Sequence, residues 1–269
     1  MFENDPSSGI LQTQSYLTTT HEPRKIVGRQ NEKTEIASAL KPLTKGQQPQ
    51  NILVYGPAGV GKTTTVNKVL DQLGSQTRVK TVRINCWQYN TRSSLLTELL
   101  IQLGYPAPRK GKPVDELLQK ISEWLDKNRA VALALDEFDQ LTDKTEVAYD
   151  LYLLDQKSDN PLGLVMISNN DPDTLDLDPR SDSRLSCTNL RFEPYDTDDL
   201  KSILKERATQ AFASGAVPDT VIEQIAQTVT EDSHDCREAL DLLRQAGQYA
   251  DRNNKSKLTP EILKKVLKR

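Results

Sequence analysis

Ile52-Leu53-Val54-Tyr55-Gly56-Pro57-Ala58-Gly59-Val60-Gly61-Lys62-Thr63-Thr64 is the stretch on which the fold turns. Four apolar residues ending at a glycine read as a buried parallel strand, and positions 56–63 give the full spacing of a phosphate-binding P-loop that opens a helix. Gly56, Gly59 and Gly61 let the backbone turn tightly and bring its N–H groups against phosphate oxygens, and the helix adds its N-terminal partial positive charge. Lys62 is the residue to reach the β- and γ-phosphates, the Thr63 hydroxyl a ligand for Mg²⁺, and Val60 and Thr64 complete the cradle. A plain glycine loop joining strand to helix is the alternative. The agreement of strand, spacing and helix weighs against it.

A second signal stands at the end of the apolar run Val131-Ala132-Leu133-Ala134-Leu135, where Asp136, Glu137 and Asp139 follow. Two acids leaving a fully apolar strand form the other half of a P-loop ATPase: Asp136 to hold Mg²⁺ through water, Glu137 to orient and polarise the attacking water. Acids favoured by the dipole at a helix start are the competing reading.

The 269 residues suffice for a full α/β core and one small domain. A formal charge of −3 gives no global attraction to nucleic acid, so any DNA contact has to come from local basic patches. Cys86, Cys187 and Cys236 lie far apart with only His21 and His234 to join them, which argues against zinc and fits a reducing cytosol. No apolar run approaches the roughly 18 residues of a membrane helix, and no signal peptide is visible. The reading is a cytoplasmic protein with no membrane partner.

Along the chain, residues 1–22 read as a flexible polar arm. A helix carrying Ile36, Ala39 and Leu40 leads to the P-loop, and the helix after it carries Val66, Val69, Leu70 and Leu73, with Gly74 as its stop. Strands are predicted over 78–85, 131–135, 162–168 and 189–192, the third ending in Asn169-Asn170. Helices are predicted over 93–103, through Leu117, Leu118, Ile121, Trp124 and Leu125, and through Val147, Leu151 and Leu154. The Pro-rich connector 105–113 carries Arg109, Lys110 and Lys112, and a loop holds Asp178-Pro179-Arg180 and Ser183-Arg184. From Asp196 onward only helical patterns remain. The prediction is an α/β fold: a five-stranded parallel sheet in a RecA-like base over 23–195, then a small all-α lid over 196–269.

P-loop, acidic strand end, polar strand end and helical lid together resemble an AAA+ ATPase. Ile26-Val27-Gly28-Arg29-Gln30-Asn31-Glu32, Asn85-Cys86-Trp87, Leu135-Asp136-Glu137-Phe138-Asp139, Ile167-Ser168-Asn169, Phe192-Glu193-Pro194-Tyr195 and Asp235-Cys236-Arg237-Glu238-Ala239-Leu240, in that order, resemble the archaeal origin-recognition and cell-division-control initiator family. That resemblance implies a replication initiator that binds ATP or ADP with Mg²⁺, hydrolyses ATP slowly and uses nucleotide state to control assembly on origin DNA. It implies that Val27 and Arg29 line the adenine and ribose side, that Tyr195 and Arg207 contact nucleotide, that Asn169 is sensor 1 and Arg237 sensor 2. Arg184 is similar to the arginine finger that acts on a neighbour's ATP, with Arg180 competing for that role. Residues 91–113 stand where the family carries a DNA-touching helical insertion, which makes Arg109, Lys110 and Lys112 candidate contacts to double-stranded origin DNA. A second copy or a related AAA+ subunit, and the replicative helicase, are the implied protein partners. The resemblance implies a winged-helix domain following the lid, beyond Arg269, so the expectation is either a truncated piece or a short form that finds DNA by another route. A clamp-loader-like or transposition-helper AAA+ ATPase, a small-molecule kinase and a nucleotide-gated scaffold without turnover are the rival readings.

Overall fold

The computed structural model describes residues 9–19, 21–23, 26–106, 112–127, 130–175 and 177–267. The chain divides into two compact units: one of Arg29–Pro57 and Lys62–Phe192, the other of Glu193–Arg269 together with Met1–Gly28 and the loop tip Ala58–Gly61.

In the first unit, β1 (Ile52–Tyr55), β2 (Lys80–Asn85), β3 (Val131–Asp136), β4 (Leu162–Ser168) and β5 (Thr188–Arg191) make one parallel sheet in the order β2-β3-β4-β1-β5. Helices α1 (Gln30–Leu40), α2 (Lys62–Gln76), α3 (Arg92–Leu103), α4 (Val114–Leu125), α5 (Lys144–Lys157) and α6 (Pro179–Leu185) accompany it. All seven residues of β4 are buried and β3 is buried up to Asp136, as parallel strands covered on both faces require. The edge strands β2 and β5 carry the exposed positions. Leu95, Leu96, Leu99 and Leu100 of α3 join Leu117, Ile121 and Leu125 of α4 and Leu133 and Leu135 of β3 in the core. Within this packing the Asp150 carboxylate, 2% exposed, accepts both Nε (2.6 Å) and Nη2 (2.7 Å) of Arg92, a bidentate pair tying α5 to α3.

Three local expectations give way here. Gly74 does not end α2, which runs on to Gln76; the glycine instead leaves room for Thr81, whose Oγ1 a Cβ there would meet at a tight 3.2 Å. β2 starts at Lys80 rather than Arg78, because the Val79 N–H is taken by Thr77 Oγ1 and the ladder opens with Lys80 N–H to the Ala130 carbonyl. The segment read as a loop around Pro179 is a short helix. Its proline stands at the first helical position and the Asp178 carboxylate accepts the Arg180 N–H at 2.9 Å, a cap signature legible in Asp178-Pro179.

The second unit is helical: α7 (Thr197–Ala211), α8 (Asp219–Glu231), α9 (Cys236–Arg252) and α10 (Pro260–Leu267). Asp196 caps α7 through the Asp199 N–H and Asp235 caps α9 through the Arg237 N–H. Leu200, Leu204, Val221, Ile225, Ala239, Leu243 and Leu263 close the interior. From Gly9 onward the N-terminal segment is not the free arm its polarity suggests. Ile10 and Leu17 are buried, Gln12 and Thr13 N–H groups share the Ala211 carbonyl, Ala213 N–H returns to the Ile10 carbonyl at 2.8 Å, and Asp251 accepts the Ile10 N–H at 2.7 Å. Three apolar residues among polar ones, Ile10, Leu11 and Leu17, were the available signal. Among the described residues no helix is long and apolar enough to cross a membrane.

Gly247 in α9 makes that docking possible: a Cβ there would lie 2.7 Å from Phe212 Cε1 and 3.3 Å from Leu11 Cδ2. Gly-to-Ala in a helix interior ordinarily gains about 1 kcal/mol. Gly247→Ala is expected to reverse that sign and cost about 1–3 kcal/mol, because the Phe212 ring is itself buried and has nowhere to retreat. A urea midpoint lower than the parent's, with faster proteolysis in residues 9–19, checks it.

Candidate active site

A parallel sheet puts all its carboxyl ends on one edge, and Asn85, Asp136 and Ser168 end β2, β3 and β4 there while Lys62 opens α2 just beyond β1. The Lys62 ammonium is buried and donates to the Gly56 carbonyl (2.7 Å), the Pro57 carbonyl (2.6 Å) and Asn169 Oδ1 (2.9 Å). All three of its protons are thereby placed. Thr63 Oγ1 donates to Asp136 Oδ1 at 3.0 Å. Five sequence candidates, Lys62, Thr63, Asp136, Glu137 and Asn169, thus stand together.

Burial pushes the Asp136 carboxyl above its ordinary value and the neighbouring Glu137 charge adds to this, while the Thr63 hydroxyl, the Glu137 N–H and Lys62 pull it back. Glu137 follows with a left-handed backbone, φ 56°, which costs a non-glycine residue about 1–3 kcal/mol and re-aims its side chain out of the strand direction. Its Oε2 accepts Asn85 Nδ2 at 3.2 Å. Asn85 is in turn fixed, because its Oδ1 takes the N–H groups of Trp87 and Gln88, both at 3.0 Å. Sequence reasoning gave Asn85 no role; an amide ending an edge strand beside the acidic one was the signal. Burial also drives the adjacent Cys86 thiol up, reinforced by Asp136, Asp139 and Glu137, so it is no nucleophile.

Of the loop itself, Gly56 (φ 140°) presses on the Phe192 carbonyl so closely that no Cβ fits. Within the helical unit, the Asp235 carboxylate lies against Gly59 (φ 73°) and the Tyr195 hydroxyl against Gly61 (φ 87°), while Val60 is buried. Thr64 is the third residue of α2 and half-buried. Val27 is half-buried, and Arg237 lies exposed in the first turn of α9.

Other candidates are held elsewhere. Arg29, 4% exposed, pairs with Glu32 at 2.9 Å and lies over the Phe192 ring. Arg184 rests over the rings of Tyr149 and Tyr152, 5.0 and 5.6 Å from their centroids; Arg180, the competing arginine, has an exposed side chain. Arg207, which its sequence position alone suggests is a surface residue, is 6% exposed and donates to the Tyr16 and His21 carbonyls (3.2 and 3.3 Å), so it clamps the N-terminal segment. Lys112 is paired with Glu116, and Arg109 and Lys110 lie outside the described residues.

The donor set fits a hard divalent cation and a polyphosphate. Thr63 and Asp136 offer adjacent oxygens, and Mg²⁺ takes one or two protein oxygens with the rest from phosphate and water. Among the described residues no cluster of three or more His, Cys, Asp or Glu is placed to hold a metal ion.

An AAA domain family matches residues 44–173, and the Cdc6 AAA+ ATPase-type lid domain family matches residues 201–267. The chain is 34% identical over 278 residues to ORC1-type DNA replication protein 1 of Archaeoglobus fulgidus, covering 100% of this chain and 68% of that protein. To the ORC1-type DNA replication protein of Pyrococcus abyssi it is 34% identical over 263 residues, covering 93% of this chain and 63% of that one, so it spans under two thirds of that relative's length. Among solved structures it resembles the Aeropyrum pernix ORC1 protein in complex with DNA (TM-score 0.86, 28% identity, 96% of this chain and 69% of that chain). It has the fold of Cdc6p from Pyrobaculum aerophilum (TM-score 0.86, 24% identity, 96% and 71% covered).

The raised Asp136 carboxyl has a stability consequence. Because the folded value lies above the unfolded one, ionised Asp136 costs the fold free energy; the cost is absent below about pH 4, builds as pH climbs from there to the folded value, and is complete above it. Asp136→Asn, which keeps an Oδ1 acceptor for Thr63, is expected to melt higher than the parent at neutral pH without Mg²⁺, and the gap to close towards pH 4. Thermal melts at the two pH values decide it.

Proposed function

The chain belongs to the family of ORC1-type DNA replication proteins, and from that premise we propose that it binds ATP, hydrolyses it slowly and uses nucleotide state to control assembly on DNA. The observation that carries this reading is the convergence of Lys62, Thr63, Asp136, Glu137 and Asn169 at one carboxyl edge. Residues 23–195 form the nucleotide-binding base and 196–269 the lid in this reading; the family resemblance also assigns Val27, Tyr195 and Arg237 to nucleotide, whereas Arg29 is engaged with Glu32 and Phe192 and Arg207 with the Tyr16 and His21 carbonyls.

On nucleotide binding, Lys62 exchanges its loop carbonyls for phosphate oxygens, while Gly56, Gly59, Val60, Gly61 and Thr64 contribute the surrounding loop and first helical turn. Mg²⁺, when bound by Thr63 and Asp136, supplies positive charge that offsets the charge shifting onto phosphate oxygens. Glu137 accepts the proton of the attacking water. Asn169 reports the terminal phosphate through its contact with Lys62. The Asn85 tether on Glu137 supports slow turnover, since the carboxylate has to leave an amide partner before it can hold water in line. The same tether favours a second reading, a nucleotide-gated scaffold with no turnover.

Assembly with a second copy or related subunit needs an arginine for the neighbour's phosphate. Arg180 suits that task better than Arg184, which has to give up two tyrosine faces worth about 0.5–1 kcal/mol each. Double-stranded DNA is the proposed partner, supported by the DNA-bound Aeropyrum pernix relative, with Arg109, Lys110 and Lys112 as candidate contacts; the replicative helicase and a cytoplasmic location follow from the same role.

Glu137→Gln is expected to lower ATP turnover by roughly 10²–10⁴-fold with nucleotide affinity kept. Phosphate release and calorimetry measure the two, and parent-like turnover refutes the assignment; binding without turnover in the parent establishes the scaffold. For the neighbour's arginine, Arg180→Ala is expected to abolish the rise of specific activity with protein concentration, whereas Arg184→Ala lowers the melting temperature and leaves that rise intact.

A further inference from the structure

The side chains described above leave Asp139 without a function, although it stands two residues beyond Glu137. Its Oδ1 accepts the backbone N–H of Asn169 at 3.2 Å. That bond joins the segment after β3 to the segment after β4, thirty residues apart in sequence. Asp139 is well placed to act as an anchor because it is itself anchored. Its Oδ2 takes Gln140 Nε2 at 2.6 Å, and its carbonyl shares the Lys144 ammonium with the Leu141 carbonyl (3.2 and 2.9 Å). The fully buried Phe138 pins the short 3₁₀ turn Phe138–Gln140 from below.

At the other end the turn is shaped by Ser168, 1% exposed. Its hydroxyl donates to the Asn170 carbonyl (2.9 Å) and accepts the Asn170 N–H (2.8 Å), which closes residues 168–170 into a tight hydroxyl-bridged turn. Ser168 fixes the curvature of this turn but not its tilt against β3. Only the Asp139 bond, among the described residues, ties the Asn169 backbone to the acidic strand end. Asn169 then extends its amide oxygen to Lys62 at 2.9 Å.

We propose that Asp139 is a positioning residue for Asn169: by holding its backbone N–H, Asp139 sets the Asn169 amide at the distance from Lys62, and from the oxygens of Asp136 and Glu137, that ATP turnover requires. Asp139 touches neither nucleotide nor water in this role. It works as a hydrogen-bond acceptor, and its charge is immaterial. The inference rests on the ATPase reading for its kinetic consequence and on the hydrogen bond alone for its structural one.

Acceptor and charge are separated by Asp139→Asn, which keeps Oδ1, against Asp139→Ala, which removes it. Loosening a reacting constellation by about 1 Å costs up to roughly 10²-fold in rate. Asp139→Ala is therefore expected to lose ten- to a hundredfold in kcat with KM and ATP affinity within about twofold of the parent, and Asp139→Asn to restore kcat to within about threefold. The bond is solvent-exposed, so its loss leaves no buried orphan and the alanine variant is expected to fold; Asp139→Ser, too short to reach, replaces it if it does not. Parent-like kcat in the alanine or serine variant overturns the proposal, as does an asparagine variant as slow as alanine, which assigns the effect to charge. Amide hydrogen exchange at Asn169 gives a readout independent of activity. Faster exchange in alanine than in parent and asparagine supports the anchor, and equal exchange in all three overturns it. If the parent binds ATP and does not turn it over, the hydrolysis reading fails on that result alone, and the exchange measurement still decides the role of Asp139.

Discussion

Burial of β3 and β4 on both faces is the constraint from which the site follows. Seven consecutive apolar or small residues in β4 and five in β3 leave these strands no solvated face, so both faces of the sheet have to be covered, the setting in which parallel sheets are found. Polar chemistry is then admitted only where the strands stop. Asp136 ends β3, Ser168 ends β4 and Asn85 ends β2, and the P-loop leaves β1 on the same edge because every strand runs the same way. The site is a rim of hydrogen-bonding groups on an apolar slab, and its precision comes from the slab.

That origin explains how much could be read from sequence. Apolar runs of four to seven residues, each followed by glycine or by acids and amides, carry both the fold and the place of the chemistry, so Lys62, Thr63, Asp136 and Glu137 were accessible from spacing, and Asn169 through the family resemblance. What escaped was set by tertiary contact. Nothing local distinguishes Arg207 from a solvated arginine on α7; its burial arises because residues 16 and 21, far away in sequence, bring two carbonyls to it. Likewise the reach of Asn85 to Glu137 and of Asp139 to Asn169 depends on β2, β3 and β4 being neighbours, which is topology rather than pattern. The docking of residues 9–19 was hidden by their polar majority, since it is carried by Ile10, Leu11, Tyr16 and Leu17 scattered among polar neighbours.

The arginines divide between scaffold and chemistry. Arg92 neutralises a buried carboxylate, Arg29 lies on a phenylalanine and beside a glutamate, Arg207 satisfies main-chain carbonyls and Arg184 covers tyrosines. Guanidinium suits such work because its planar fork bonds in two directions and its faces stack. A resemblance that assigns arginines by position alone does not separate those already engaged from those still available.

The saturated ammonium of Lys62 sets the terms on which the loop accepts a ligand. Three carbonyl-type oxygens already hold it, so the ammonium is solvated by the chain itself while keeping its full positive charge. An anion that takes the place of those oxygens trades neutral acceptors for charge-assisted ones. The loop thus keeps a desolvated positive charge supported by neutral oxygens alone, which is where a negative group gains most.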